Sequence, residues 1–149
     1  MTQEDKQLLF KDLCGRLPYG IKVQYDSQTC KLVTTNDDYT VLLLGEDGYV
    51  PNIEDGLFLD IEKVKPYLRP MSSMTEEEMD EVEMIMGVED NKSIIFDFTS
   101  DGNIIFKNGN CSVCVFKKLI DYLYSCHFDF NNLIEKGLAI EAPEGMYLY

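Results

Sequence analysis

The sequence predicts an α+β protein, on three observations. Three segments carry apolar residues at helical spacing. Between residues 21 and 59, short apolar–polar alternations are separated by turn residues. A further pair of strand-like stretches flanks Ser100-Asp101-Gly102. The expected order is an N-terminal helix, a small Tudor-like β-barrel, an acidic helix, a β-hairpin and a C-terminal helix. The expected organisation is a single domain, residues 1–149. Its first part, 1–65, is helix plus barrel, and a helix-hairpin-helix portion, 66–149, packs on it.

The first helix is expected from Thr2 to Leu13. Thr2 suits the N-cap, Glu4 and Asp5 suit the positive end of the helix dipole, and Leu9 and Leu13 lie one turn apart. Gly15 and Pro18 are the stop signals. Strands follow. In Ile21–Tyr25, Ile21, Val23 and Tyr25 share one face and Lys22 and Gln24 the other. After the turn at Asp26-Ser27-Gln28, Cys30–Thr35 reads as a strand. After Asn36-Asp37-Asp38, Tyr39–Leu44 does too, and its continuous apolar run predicts burial on both faces. Glu46-Asp47-Gly48 is a hairpin signal before Tyr49-Val50, and Leu57-Phe58-Leu59 is a last short strand. Short strands at this spacing favour a small barrel over a sandwich.

The connector KPYLRPMSSMT holds two prolines four residues apart and reads as an ordered crossing segment outside regular structure. Thr75 with Glu78 three residues on is a capping box. It opens a helix from Glu76 to Met86, stopped by Gly87, with Met79, Val82 and Met86 as its apolar stripe. Ser93–Phe98 and Asn103–Phe106 form the hairpin. The long helix starts near Asn110–Ser112 and ends near Cys126, with Phe116, Leu119, Ile120 and Leu123 on one face. Asn131–Lys136 is expected as a short helix ended by Gly137, and the tail from Leu138 as irregular.

The chain has 149 residues, 45% hydrophobic and 27% charged, enough for a packed core. Its net charge is −14, and Glu76–Asp101 holds ten acids against one base, Lys92, a net of −9. Such a field repels nucleic acid and membrane surfaces and attracts basic partners. Five cysteines in no repeating framework fit a reducing compartment. The N-terminus MTQEDKQLLF lacks the basic and apolar regions of a signal peptide, and no run reaches the roughly 18 apolar residues of a membrane span. The expectation is a soluble cytoplasmic protein.

Candidate chemistry is sparse. Cys111, Cys114, Cys126 and His127 are the right residue types for zinc, but Cys126 and His127 are adjacent, which is a poor second ligand pair. Asp97, Thr99, Asp101, Gly102 and Ile104 match the start of a calcium loop, yet Asn108 stands where a bidentate Glu is needed. His127 is the only histidine, with no nucleophile motif beside it. No Walker-type loop or dinucleotide fingerprint occurs, and Lys117-Lys118 is the only adjacent basic pair. No metal, cofactor or catalytic residue is expected.

The stretches RLPYGIKVQY, IEKVKPYLRPMSSMTEEEM and HFDFNNLIEKGLAIEAPEGMY resemble a group of uncharacterised small acidic proteins. That group is encoded by phages, prophages and mobile elements of gut Bacteroidales. Asp26–Phe58 and Gly87–Cys126 diverge from it. The resemblance implies a phage or mobile-element setting in a bacterial cytoplasm and scaffold roles for Pro66, Tyr67, Leu68, Arg69 and Pro70. It carries no site residues.

The functional expectation is a non-enzymatic accessory protein. It would bind a protein partner, a basic host factor being the candidate, through Glu76, Glu77, Asp80, Glu81 and Glu83. The alternative is a small-ligand- or metal-binding protein. A solvated helix face is the bland explanation of the same acids. A small enzyme ranks last, for want of any motif.

Overall fold

The computed structural model describes residues 1–51, 58–86, 95–98, 104–108 and 113–147. The chain divides into two compact units. One comprises Met1–Leu68 and Asn131–Tyr149, the other Arg69–Phe130. Residues 131–149 thus belong with the N-terminal residues, whereas the sequence division at residue 65 grouped them with the second portion.

The first unit opens with helix α1, Gln3–Arg16. Thr2 caps it: the Asp5 amide donates to Thr2 Oγ1 at 3.1 Å, and the Thr2 amide donates to Asp5 Oδ2 at 3.2 Å. Leu9, Asp12, Leu13 and Arg16 are buried at i, i+3, i+4, i+7 spacing, so the core-facing stripe contains an acid and a base. The helix runs through Gly15 rather than stopping there. Leu17–Tyr19 then forms a 3-10 turn, and Gly20 takes a φ of +71°, a conformation open to glycine.

Six strands form one sheet in the order β4-β3-β2-β1-β5-β8. They are β1 Lys22–Tyr25, β2 Gln28–Asn36, β3 Thr40–Gly45, β4 Leu59–Asp60, β5 Lys65–Leu68 and β8 Ile140–Glu141. Neighbours are antiparallel except β5 and β8, which are parallel. The α+β class is therefore as expected. Among the described residues the sheet is open, with β4 and β8 as its edges, and does not close into a Tudor-like barrel. A register shift between Leu32 and Thr34 marks a bulge in β2, which bends the sheet without closing it.

Alternation sets the core. Val23, Tyr25, Cys30, Leu32, Val41 and Leu43 are buried together with Leu9, Leu13, Ile61, Leu68 and Leu133. In β3 only Val41 and Leu43 are buried; Leu42 and Leu44 are half-buried, so burial on both faces does not hold. After β3 the chain turns through Glu46–Gly48. The Gly45 amide donates to the Tyr49 carbonyl at 2.7 Å, and Tyr49-Val50 forms no strand.

Three further expectations are corrected. The connector contains strand β5 despite Pro66, which lies opposite Val23 of β1. Pro66, Tyr67 and Leu68 are all buried. Asn131–Gly137 is a turn rather than a helix: the Lys136 amide donates to the Asn132 carbonyl, and Gly137 closes it at φ +70°. The tail then supplies β8. Further on, the Tyr147 hydroxyl accepts the Lys22 amide at 3.1 Å and donates to the Tyr67 carbonyl at 3.0 Å.

The second unit holds helix α2, Glu76–Met86, the hairpin strands β6, Ile95–Phe98, and β7, Ile104–Asn108, and helix α3, Val113–Ser125. In the hairpin Phe98 lies opposite Ile104; the expected turn at Ser100-Asp101-Gly102 lies outside the described residues. Met71, Val82, Met86, Leu119, Leu123, Cys126 and Phe128 make its core. Phe116, expected on the apolar stripe of α3, is 42% exposed.

Candidate functional site

The capping box at the start of α2 forms as its sequence predicts. The Glu78 amide donates to Thr75 Oγ1 at 3.2 Å, and the Thr75 amide donates to Glu78 Oε2 at 2.9 Å. Glu78 has a second task. Arg69 grips its carboxylate with both terminal nitrogens, at 2.6 and 2.8 Å, and also donates to the Ser73 carbonyl at 3.1 Å. The guanidinium lies 4.3 Å from the centroid of the Phe128 ring. The Arg69 amide donates to the His127 carbonyl, and its carbonyl accepts from the Asp129 amide. One arginine thus ties the start of α2 to the segment that follows α3. Burial raises the Glu78 carboxyl, but the hydrogen bonds from Arg69 and Thr75 outweigh it and hold the group below its usual range.

Val82 and Met86 face the core, with Met79 and Ile85 half-buried beside them. Val82 and Met86 lie one turn apart, so they fix the rotation of the helix about its own axis. That rotation sends Glu76, Glu77, Asp80, Glu81 and Glu83 to solvent, and all five are exposed. At about 100° per residue they span an arc of about 160°. Glu78, which falls outside that arc, is the acid that Arg69 takes. Met84 lies inside the arc, one turn beyond Asp80 and Glu81, and is 61% exposed. The surface is therefore a band of five carboxylates around a flexible, polarisable apolar side chain, carried on a helix that Val82, Met86 and the Arg69–Glu78 pair hold to its own unit.

The expected interaction residues are brought together as one face. The sequence reading missed Arg69 as the anchor of that face and Met84 as its apolar centre. The spacing of Met84 from Met79, Val82 and Met86 could have shown that it leaves the stripe.

The metal-type residues are differently placed. Cys114 is exposed in the first turns of α3, while Cys126 and His127 are buried after its end. Burial pushes the Cys126 thiol up, a protonated state that a ligand would have to leave. Cys111 lies outside the described residues, as do Thr99, Asp101 and Gly102; Asp97 is in β6, and Ile104 and Asn108 are in β7. Among the described residues no three His, Cys, Asp or Glu groups converge. No helix there is long and apolar enough to cross a membrane. The chain matches no protein-family model, no curated protein and no solved structure.

Proposed function

We propose that this chain is a non-enzymatic protein-binding module whose partner docks on the acidic face of α2. The observation that supports this is the separation of roles among the acids of the helix. Glu78 is consumed by the cap and by Arg69, while Glu76, Glu77, Asp80, Glu81 and Glu83 all face solvent around Met84. A basic protein surface with an apolar spot complements that pattern in both charge and polarity. Complementary charge steers encounter and excludes wrong partners, and the methionine adds desolvated contact.

With the resemblance in its three quoted stretches, this reading makes the chain a phage or mobile-element accessory factor. Its setting would be a bacterial cytoplasm, and its partner a basic host protein. The test is capture from host lysate by the wild type and by a variant with Glu77, Asp80, Glu81 and Glu83 neutralised to Gln or Asn. Partners held by the wild type and lost by the neutralised chain support the reading. Identical capture by both overturns it and leaves the acids as a solvated surface.

A further inference from the structure

The acidity of the chain is not uniform over its surface. Lys22 of β1 lies opposite Lys31 of β2, and Lys31 lies opposite Leu44 of β3. Two residues along, Gln24 lies opposite Thr29 on one side and Lys65 of β5 on the other. Cross-strand partners and residues two apart share a face of a sheet. Register therefore sets Lys22, Lys31 and Lys65 on the side away from Val23, Leu32 and Leu43. Like charges directly opposed on neighbouring strands destabilise a sheet. No ion pair relieves Lys22 or Lys31 among the described residues, although Lys6 and Arg16 of the same unit are both paired.

Beside this row lies an open groove of about 440 Å³, lined by Lys22, Thr29, Lys31, Leu44, Gly45 and Glu46 among others. That volume suits a small molecule. A Cβ at Gly20 would lie 3.7 Å from Lys31 Cε, so the lysine stem passes over bare backbone. The strand position of Lys22 is pinned through its amide by the Tyr147 hydroxyl.

We propose that this groove binds a small organic anion, with its phosphate or carboxylate between Lys22 and Lys31 and an apolar body on Leu44. Two lysines at directly opposed strand positions beside one groove, in a chain of net charge −14, are the natural counterpart of such a group. Thr29 offers a hydroxyl to it. Glu46 favours a hydrogen-bond donor, not a second anion, on the remainder of the ligand. The site lies in the first unit and does not depend on the α2 face.

The test is a titration of the 15N-labelled full chain, followed by amide shifts, with phenyl phosphate, benzoate and benzylamine as separate probes. The proposal expects saturable shifts centred on Lys22, Lys31, Leu44 and Gly45 from phenyl phosphate, benzoate or both. The stronger of the two identifies the anionic chemistry. Benzylamine should produce none. K22Q/K31Q should weaken binding about tenfold or more, K22R/K31R should retain it, and K117Q/K118Q should leave it unchanged. K31Q alone serves if the double variant does not fold. No saturable shift from either anion, shifts spread over lysines generally, or undiminished binding by the Gln variants would overturn the proposal.

Discussion

Asp12→Ala isolates the most consequential polar contact in the first unit. Asp12 and Arg16 have fully buried side chains, at 0% exposure each, and stand one turn apart on the core-facing stripe of α1. Arg16 Nε donates to Asp12 Oδ2 at 2.6 Å and Nη2 to Oδ1 at 3.0 Å. The Asn131 side-chain amide donates to the same Oδ1 at 2.9 Å. Removing the carboxylate takes two hydrogen bonds and the Asp12 charge from the buried Arg16 guanidinium, and takes an acceptor from Asn131. Breaking a buried ion pair on one side costs about 3–5 kcal/mol. For a chain of this length that is a fall of about 6–20 °C in Tm, at about 2–4 °C per kcal/mol. Urea unfolding followed by circular dichroism measures it, with an unchanged m-value showing that stability alone has moved. The double variant D12L/R16M should lie within about 1–2 kcal/mol of wild type, because replacing both partners leaves no charge to solvate. If Asp12→Ala cost under about 1 kcal/mol, or no more than the double variant, the ion pair would not be the organising contact described.

Two further predictions concern the anchoring of α2. Thr75→Ala should cost about 1 kcal/mol through the lost cap; a Tm indistinguishable from wild type would show that the capping box is energetically idle. Glu78→Gln should be destabilising at neutral pH by an amount that depends on pH. The native carboxyl is held below the ordinary glutamate range by Arg69 and Thr75, against the upward push of burial. Its contribution is therefore present above the unfolded pKa and is lost as pH falls through the lower native one. The gap in Tm between wild type and Glu78→Gln should be widest near neutrality and close below the ordinary carboxylate range. A gap constant from neutral pH into acid would contradict the Arg69–Glu78 assignment.

What was legible in the sequence was local. Thr75 and Glu78 announce a helix start because the cap is satisfied within four residues. The exposure of five acids follows from the 3.6-residue period once Val82 and Met86 are taken as inward. What was not legible depends on contacts between distant residues. Pro66 reads as a breaker, yet β5 forms because β1 and β8 pair on either side of it. Sheet closure depends on strand tilt and stagger, which no single strand encodes, so an open sheet and a barrel share the same alternation. Gly15 reads as a stop, but the burial of Arg16 against Asp12 carries α1 one residue past it. Residues 138–147 hold too few regular positions to signal that they return to the first unit. The lysine row was visible only in part. Lys22 faces outward in the alternation of β1, but Lys31 and Lys65 join it only through register. Arg69 gives no local sign that it will anchor a helix nine positions away.

The acidic face of α2 as a docking surface is the central claim, and its most direct measurement is the salt dependence of partner binding. Wild type and the E77K/D80K/E81K/E83K chain would be compared against the same captured partner over a range of ionic strength. Exposed charges are screened over ~8–10 Å at physiological salt, so wild-type affinity should fall steeply as salt rises. The reversed chain should not bind measurably at low salt. Its helix content should persist, because the four substituted side chains lie outside the buried set of Val82 and Met86. Equal affinity and equal salt dependence for the two chains would contradict the claim.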